Sequence, residues 1–462
     1  MFETRKIEPS ELEKILKTEE DHFFDVKSKD ISPARLQETF VAFANADGGD
    51  IYIGIEDKKY EGNRERPYSN PEEANAAIKV LLEQTIPSVE GVLVEFLISG
   101  NGYILHISIP KSPKVHYTAS QDCYIRLNAQ KHKIKGERIT ALAYSKGSLL
   151  YEKSAVNIVD IDEIIESEAL QNYMARIQTS LPADKFLKKQ RLTSEIKGEC
   201  KPNVGCVLLF DDEPQASIDT RCAIKIYRLR TTDAEYKREH LAEMPATING
   251  PIEQSILKAI EKVKELVDGA SFYEGDNLIK MQYPADAIQE ILVNAVIHRD
   301  YSLNDDVHIK IFDNRIEVFS PGKLPGYVNI DNIYDERFSR NPNIVRMLHN
   351  LPNPLNHDIG EGLDTVKNEL RKAGLVDPVF EEKGNAFVVT MKHQRIASIE
   401  DVILDYFDQN PDAVITNKIA RQLSGEDDIN KVKKALQKLR ADKKIILVEE
   451  NVHAFKYSYK KA

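Results

Sequence analysis

The sequence is poor in cysteine and has no long apolar run. It contains four cysteines in 462 residues. None stands in a Cys-x-x-Cys pair, so the spacing of structural zinc sites is missing. Thiols without such spacing are typical of a reducing compartment, where they remain unpaired. No stretch approaches the roughly 18 consecutive apolar residues of a membrane-spanning helix, so no membrane partner is expected.

Positive charge is in deficit, and the N-terminus lacks the apolar segment of a signal peptide. The formal net charge is −11 at pH 7, which argues against general binding to polyanions. Any contact with nucleic acid must therefore come from local basic patches. The first residues, "MFETRKIEPSELEKIL", are charged where a signal peptide is apolar. These features predict a cytoplasmic protein.

The composition that is present suits a folded chain with several domains. Hydrophobic residues make up 42% and charged residues 30%. At about 150 residues per domain, the length predicts roughly three domains. Strand-like runs such as "GDIYIGI" and "YILHISIP" alternate with helical patterns, so the expected fold class is α+β multidomain. Composition shifts predict domains at residues 1–150, 151–280 (a bridging α/β region), 281–396 and 397–462.

The stretch "FANADGGDIYIGIED" predicts a helix that turns back into a strand. The helix before it has Ser32 as its cap and Pro33 in its first turn. Its core face is predicted at Leu36, Phe40 and Phe43. Gly48 and Gly49 permit the reversal, because glycine adopts positive φ at little cost. In the strand 50–57, Ile51, Ile53 and Ile55 are predicted to line one face, with Asp57 continuing the alternation at the exit.

Acidic and basic residues gather just upstream, in "EEDHFFDVKSK". If "FFDVK" is a strand, Asp25 and Lys27 share one face of it. A carboxylate with a lysine two residues on is used by many metal-dependent nucleases, in which the ammonium group stabilises phosphate charge. Glu20 and Asp57 could complete an oxygen ligand set for Mg²⁺ or Mn²⁺. The alternative is that these are ordinary charged residues flanking a strand.

These segments resemble the Schlafen/AlbA-type domain. The resemblance rests on "EDHFFDVKSK" and "FVAFANADGGDIYIGIED" and covers roughly residues 10–150. It implies that Glu20, Asp25 and Asp57 are the acidic residues that carry activity in the RNA-cutting members. Two positions depart from the family pattern, since Asp21 replaces a serine and Asp25 replaces a glutamate. Many bacterial relatives are described only as DNA-binding regulators, so the resemblance implies binding of RNA or DNA with or without cleavage.

A basic segment, "YIRLNAQKHKIKGER", follows in the same domain. Its cations stand close to the aromatic Tyr124, as in many surfaces that bind phosphates and bases. The alternative is a solvated surface segment. The residues predicted to contact nucleic acid are Arg126, Lys131, Lys133 and Lys135.

A polar stripe marks the predicted helix in "YPADAIQEILVNAVIHRDYS". Glu290, Asn294 and His298 stand at i, i+4 and i+8, so they share one side of an otherwise apolar helix. Phosphates with Mg²⁺ would satisfy such a stripe, since asparagine can ligate the metal and glutamate can orient a water. Another polar surface could satisfy it equally. The "HRD" at 298–300 does not indicate a protein kinase, because the other kinase motifs are missing.

Residues 284–392 resemble a divergent GHKL-type ATP-binding module, an α/β sandwich. The resemblance rests on "EILVNAVIHRDYS", "FDNRIEVFSPGKLP", "SRNPNIVRML" and "IGEGLDTVKNELRKAGLVDPVF". It implies that Glu290 activates the hydrolytic water and Asn294 binds Mg²⁺. It also implies that Gly322 is the first glycine box of the nucleotide site and that Gly360 and Gly362 lie in a lid loop near the phosphates of ATP. Ser320 stands where such modules hold an aspartate on the adenine amino group.

The last segment resembles a winged helix-turn-helix domain. "TNKIARQLSG" and "DDINKVKKALQKLRADKK" predict two helices, and the strand-like residues after them predict a hairpin. Val432, Leu436 and Leu439 mark a buried face, which leaves Lys433, Lys434 and Lys438 in solvent. Such domains bind DNA or proteins.

Together these features predict a nucleotide-dependent protein that acts on nucleic acid. In the leading hypothesis, the N-terminal domain binds and cleaves RNA or DNA under the control of ATP, in defence against foreign nucleic acid, and the chain forms a homo-oligomer. The alternative is an ATP-responsive transcriptional regulator without nuclease activity. A third possibility is an assembly scaffold whose modules bind protein.

Overall fold

The structure is a computed structural model that describes residues 2–100, 102–274, 277–355, 362–394, 398–411, 413–424, 428–449 and 457–462. The chain divides into two compact units. The first comprises Met1–Glu369 and Pro378–Lys392, and the second comprises Leu370–Asp377 and His393–Ala462. Both units mix helices with sheets, so the α+β prediction is confirmed. No helix within the described ranges is long and apolar enough to cross a membrane.

The N-terminal region is built on one mixed sheet. Its strands are β1 (Glu3–Lys6), β2 (Phe24–Lys27), β3 (Gly49–Ile53), β4 (Leu93–Ser99) and β5 (Gly102–Ile109), in the order β1-β4-β5-β3-β2. The parallel pairs are β1 with β4 and β2 with β3. The other elements are α1 (Pro9–Lys17), α2 (Pro33–Asn45), α3 (Asn75–Glu83), α4 (Glu137–Lys146) and the hairpin of β6 (Cys123–Leu127) with β7 (Gln130–Ile134).

Helix α2 forms as predicted because its sequence supplies both a cap and a core face. The Ser32 side chain accepts a hydrogen bond from the backbone N–H of Arg35. Leu36, Phe40 and Phe43 are completely buried, in the cluster that covers one face of the sheet. The helix start and its buried face are therefore confirmed.

The strand after the two glycines ends earlier than predicted. β3 stops at Ile53, and Gly54 follows with φ 106°, a conformation that favours glycine. Ile51 and Ile53 pack in the cluster with α2, whereas Ile55 packs in the cluster on the opposite face of the sheet. The prediction of one continuous face is wrong beyond Ile53, because the chain turns at Gly54 before it reaches Asp57.

A helical region links the first sheet to the second. Its elements are α5 (Ile161–Glu166), α6 (Glu168–Arg176), α7 (Ala183–Lys189), the hairpin of β8 (Thr193–Ile196) with β9 (Glu199–Pro202), α8 (Val204–Phe210) and α9 (Pro214–Ser217). The apolar run "VGCVLLF" is helix α8, since the Asn203 side chain accepts a hydrogen bond from Cys206 N and so caps the first turn.

The second sheet spans the predicted boundary at residue 280. Its strands are β10 (Ile224–Arg228), β11 (Ala246–Ile248), β14 (Val307–Ile311), β15 (Arg315–Pro321), β16 (Val379–Lys383) and β17 (Ala386–Lys392), in the order β11-β10-β14-β15-β17-β16. β10 pairs in parallel with β14 along its whole length, so the predicted bridging region supplies two strands to this sheet. The other elements are α10 (Ile252–Asp268), a hairpin of β12 (Ser271–Glu274) with β13 (Asn277–Lys280), α11 (Ala285–Ile297), α12 (Pro342–His349) and α13 (Gly362–Lys372).

The described part of the C-terminal unit beyond residue 397 comprises three helices and a small antiparallel sheet. They are α14 (Ile399–Gln409), β18 (Ile415–Thr416), α15 (Asn417–Ser424), α16 (Ile429–Ala441), β19 (Ile445–Leu447) and β20 (Ser458–Lys461), with the strand order β18-β20-β19. α14 begins with a reciprocal capping box between Ser398 and Asp401. Val432, Leu436 and Leu439 are buried in its core, as predicted.

Candidate functional site

A cavity of about 560 Å³ is lined by α11, the segment after β15 and the start of α13. This volume lies within the usual range for small-ligand pockets. The lining includes Glu290, Asn294, Gly322 and Gly362, so the structure brings four of the predicted nucleotide-binding residues together. Gly360 lies outside the described residues.

The polar stripe of α11 faces this cavity. Glu290, Asn294 and His298 all line it, while the other side of the helix is buried. Asn294 Nδ2 donates a 2.9 Å hydrogen bond to Glu290 Oε1. The two side chains therefore orient each other, and no hydrogen bond from a described residue occupies the carbonyl oxygen of Asn294.

The start of α13 lies directly against this pair. A Cβ atom at Gly362 would collide with the carboxylate of Glu290 and would lie 3.4 Å from Asn294 Nδ2. A larger residue at this position would therefore displace the carboxylate of Glu290. Leu363 and Thr365 also line the cavity, so the N-terminal end of α13 faces it, and the helix dipole at this end favours an anion.

Gly322 makes room for a buried arginine. Its φ is 106°, and a Cβ there would lie 2.6 Å from Arg340 Nη1. Arg340, which is 2% exposed, donates hydrogen bonds to the carbonyl oxygens of His298, Lys323 and Ser145 at 2.7–3.1 Å. It thus joins the end of α11, the segment after β15 and the end of α4. Sequence reasoning missed this residue, although "SRNPNIVRML" contains it.

Ser320 borders the cavity, and its hydroxyl hydrogen is already used in a hydrogen bond. Its hydroxyl donates a 2.7 Å hydrogen bond to the carbonyl oxygen of Ala295. Towards the cavity, the oxygen can therefore act only as an acceptor.

In the N-terminal region, Asp25 lies at the centre of a partly buried group of charges. Its Oδ2 accepts a 2.8 Å hydrogen bond from Arg126 Nη1, and its Oδ1 accepts one from Lys27 Nζ. Asp25 and Arg126 are each 2% exposed. Lys27 Nζ also lies 3.4 Å from Glu20 Oε1, and burial together with the neighbouring Asp25 raises the pKa of Glu20. We call these four residues the Asp25 cluster.

Asp57 does not join the Asp25 cluster. It is exposed, and its Oδ1 accepts a 2.8 Å hydrogen bond from Lys59 N in its own turn. Among the described residues, no group of three or more histidine, cysteine, aspartate or glutamate side chains is placed to hold a metal ion. The structure therefore brings Glu20 and Asp25 together around Lys27, whereas Asp57 lies in the turn after Gly54. A metal site at these three residues stays a prediction.

Arg126 is a structural residue and not a surface cation. Besides Asp25, its guanidinium donates to the carbonyl oxygens of Asp21 and Phe24 at 2.7–3.1 Å. It also lies 4.1 Å from the centre of the Phe43 ring. The structure therefore does not place Arg126 at the surface, as its basic run suggested, and its contact with nucleic acid stays a prediction.

The other predicted basic residues lie at the surface. Lys131 forms an ion pair with Glu38 at 2.7 Å, and Lys133 forms one with Asp122 at 2.6 Å. The remaining predicted residues are all exposed: Lys135, Lys433, Lys434 and Lys438. Of these, Lys438 lies 3.3 Å from a carboxylate oxygen of Glu400.

Two family models match parts of the chain. Residues 20–135 match the family described as Schlafen, AlbA_2. Residues 304–391 match the family described as "Putative ATP-dependent DNA helicase recG C-terminal". The second match begins after α11, so Glu290 and Asn294 are assigned to this cavity by the packing of α11 and α13 alone.

Comparisons over the whole chain add little. No curated protein matches it. A solved structure, the DIP2311 protein from Corynebacterium diphtheriae, aligns over 98% of this chain and 96% of its own with 16% identity and a TM-score of 0.40, and we draw no conclusion from so low a score. The comparisons therefore show that residues 20–135 are similar to the Schlafen, AlbA_2 family and that residues 304–391 are similar to the recG C-terminal family.

Proposed function

We propose that the protein is a cytoplasmic, ATP-responsive regulator that binds nucleic acid. The observation that carries the proposal is the cavity where α13 begins against Glu290 and Asn294. A helix N-terminus, an amide oxygen and a carboxylate are the groups that a nucleoside triphosphate with its cation requires. In this proposal, the second sheet and its helices are the GHKL-like sandwich.

The residues of the cavity fit Mg²⁺ as well as ATP. Because Asn294 donates its amide nitrogen to Glu290, its carbonyl oxygen is the atom left for a cation. Bound Mg²⁺ would neutralise phosphate charge. Glu290 is held in place by Asn294, so its carboxylate is oriented to accept a proton from a water at the phosphates.

Ser320 supports adenine as the base. Because the Ser320 hydroxyl donates its hydrogen to the carbonyl oxygen of Ala295, it can accept a hydrogen bond from an exocyclic amino group of a base. It cannot at the same time donate one to a carbonyl oxygen of a base. Adenine presents an amino group at the position where guanine presents a carbonyl. The cavity is therefore expected to prefer ATP to GTP.

The variant Asn294→Ala is expected to weaken MgATP binding about 10-fold, because a hydrogen-bonded group near charge contributes about 1.5 kcal/mol or more. Isothermal titration with MgATP and MgGTP measures the dissociation constants. Asn172→Ala, at an exposed position of α6, is the matched control and should bind like the unmodified protein. Equal affinities of all three proteins for MgATP, or no binding by any of them, would contradict the assignment of the cavity.

A second observation favours DNA as a partner of the C-terminal unit. We interpret its three helices and its antiparallel sheet as a winged helix, in which α16 exposes Lys433, Lys434 and Lys438. Lysines on one exposed helix can neutralise successive phosphates. The N-terminal domain would bind nucleic acid independently, and ATP would control self-association of the chain.

Replacing Lys433 and Lys434 by glutamine is expected to weaken duplex DNA binding and to flatten its salt dependence. Each lost phosphate contact lowers the slope of log K against log salt by about 0.9, so the slope should fall by up to about 2. Fluorescence anisotropy at several salt concentrations measures this. The control carries Lys185→Gln and Lys188→Gln on α7, where both residues are exposed. An equal loss of slope in both proteins would argue against α16 as the contact.

Metal-dependent cleavage and a role in defence are less well supported. Both follow from the resemblance to Schlafen nucleases, whereas the carboxylate of Asp25 is already engaged by Lys27 and Arg126. The regulator hypothesis requires no metal at that position and is therefore the one that we favour.

A further inference from the structure

One segment forms both a wall of the nucleotide cavity and a contact with the N-terminal region. Residues 322–340, which we call the cavity wall, connect β15 to α12. Their contribution to the cavity lining includes Lys323, Leu324, Val328 and Arg337. Any ligand that fills the cavity must therefore touch this segment.

The N-terminal region holds the cavity wall through main-chain atoms. Lys111 Nζ donates hydrogen bonds to the carbonyl oxygens of Leu324 at 2.9 Å and Val328 at 3.0 Å. The backbone N–H of Gly326 donates to the carbonyl oxygen of Lys146 at 3.1 Å. Lys111 has a side chain that is only 12% exposed, so these bonds are shielded from water and fix the wall firmly.

An aromatic side chain completes this contact. A Cβ on either Gly326 or Gly147 would collide with the ring of Phe338. Both glycines also have positive φ, 65° and 76°. The ring therefore lies between the cavity wall and the end of α4, where a bulkier residue at either glycine would displace it.

Lys111 connects the cavity wall to the turn that follows α2. Its Nζ lies 3.3 Å from Asp47 Oδ1, and Asp47 Oδ2 lies 2.8 Å from His22 Nε2. Asp21 precedes His22 in the chain, and its carbonyl oxygen accepts a hydrogen bond from Arg126 Nε. Polar contacts, joined through the backbone between His22 and Asp21, thus connect the cavity wall to the Asp25 cluster.

A bound polyphosphate would act on this series through charge. Burial alone would raise the pKa of Asp47, but the hydrogen bond with His22 and the positive charges of Lys111 and Lys323 lower it overall. Lys323 also lines the cavity. A phosphate that draws Lys323 towards itself removes part of the positive charge near Asp47. The carboxylate of Asp47 then attracts Lys111 more strongly, and the hydrogen bonds from Lys111 to the cavity wall become weaker.

We propose that Lys111 is the positioning residue that transmits nucleotide occupancy from the cavity wall to the Asp25 cluster. The inference rests on the proposed binding of ATP. Since such coupling is reciprocal, a nucleic acid that binds the N-terminal domain and rearranges the Asp25 cluster also changes the affinity for ATP. The Schlafen domain and the ATPase-like domain then form one regulated unit.

Hydrogen exchange on the full chain tests the proposal. Addition of MgATP is expected to change the exchange rates of backbone amides in residues 20–27 and 45–49 by ~5-fold or more, the lower end of usual allosteric couplings. In Lys111→Met, which keeps the aliphatic stem but loses the charge and the donors, this response should vanish while MgATP still binds. Lys114→Met is the matched control, because Lys114 is exposed and pairs with Glu90; it should respond like the unmodified protein.

The outcomes separate this inference from the proposed function. Calorimetry on the same samples reports whether MgATP binds at all, and no binding by the unmodified protein would overturn the nucleotide site and the coupling together. Binding of MgATP without any response in residues 20–27 and 45–49 of the unmodified protein would overturn only the coupling, whether or not Lys111→Met folds. A full response in folded Lys111→Met would exclude Lys111 as the transmitting residue.

Discussion

Replacing Asp25 by alanine is expected to destabilise the N-terminal domain by about 3–5 kcal/mol, the cost of leaving one partner of a buried ion pair without compensation. The buried Arg126 would then keep only neutral partners, the carbonyl oxygens of Asp21 and Phe24 and the ring of Phe43, in direct contact with its charge. Urea unfolding, combined with hydrogen exchange of residues 20–27, measures the loss. The double variant Asp25→Leu with Arg126→Met should recover part of it, since apolar residues of similar volume often replace a buried pair at little cost.

Asp57→Ala is the control for this prediction, because Asp57 is exposed and serves only its own turn. Its effect should stay within about 0.5 kcal/mol. The comparison matters for any activity assay, since a loss of function in Asp25→Ala would follow from unfolding and would not identify a metal ligand. A protein with Asp25→Ala that is as stable as Asp57→Ala would contradict the structural role of the pair.

The second large effect concerns Lys146 and pH. Its ammonium group donates a 3.0 Å hydrogen bond to the carbonyl oxygen of Ala44 in the last turn of α2. Burial, aided by the charge of Lys111 and opposed by Asp47 and Cys123, lowers the pKa of Lys146 to about 7. Between this value and the ordinary lysine pKa, the unfolded chain binds the proton and the folded chain does not. Stability from this group therefore rises as the pH rises above 7.

The gain between pH 7 and pH 9 is expected to be about 2 kcal/mol, at about 1.4 kcal/mol per pH unit once the folded protein has lost the proton. Lys146→Met should lose this part of the slope, because methionine does not titrate. The measurement is urea unfolding of both proteins at pH 7, 8 and 9. Lys135→Met, at an exposed position, should keep the slope of the unmodified protein. Parallel slopes for the unmodified protein and Lys146→Met would show that Lys146 is charged in the folded state.

Local signals predicted the parts of the fold that depend on neighbouring residues. The cap at Ser32, the buried face of α2 and the reversal at Gly48 and Gly49 follow from spacing and backbone preference, and all three are present. The stripe of α11 could be predicted for the same reason, because the helical period alone places Glu290 and Asn294 on one side.

The errors arise where the partner is remote in the sequence. Arg126 stands in a run of surface cations, and only its pairing with Asp25, 101 residues away, shows that it is buried. Arg340 was missed because its acceptors lie on three other elements. The strand before Asp57 was predicted too long for a local reason. Alternation continues through Ile55 and Asp57, so it cannot show that the strand ends at Ile53, four residues before its predicted end. A short apolar run such as α8 is likewise ambiguous by periodicity.

The parallel pairing of β10 with β14 determines how the chain can be divided. A fragment that begins at residue 281 or at residue 304 lacks β10, so the main-chain groups of β14 that pair with Ile224–Arg228 are left uncovered at a sheet edge. Uncovered edges of this kind promote intermolecular strand pairing and aggregation. The segment that matches the family model, residues 304–391, is therefore shorter than the segment that can be expressed or exchanged as one folded piece. That longer segment must begin before β10.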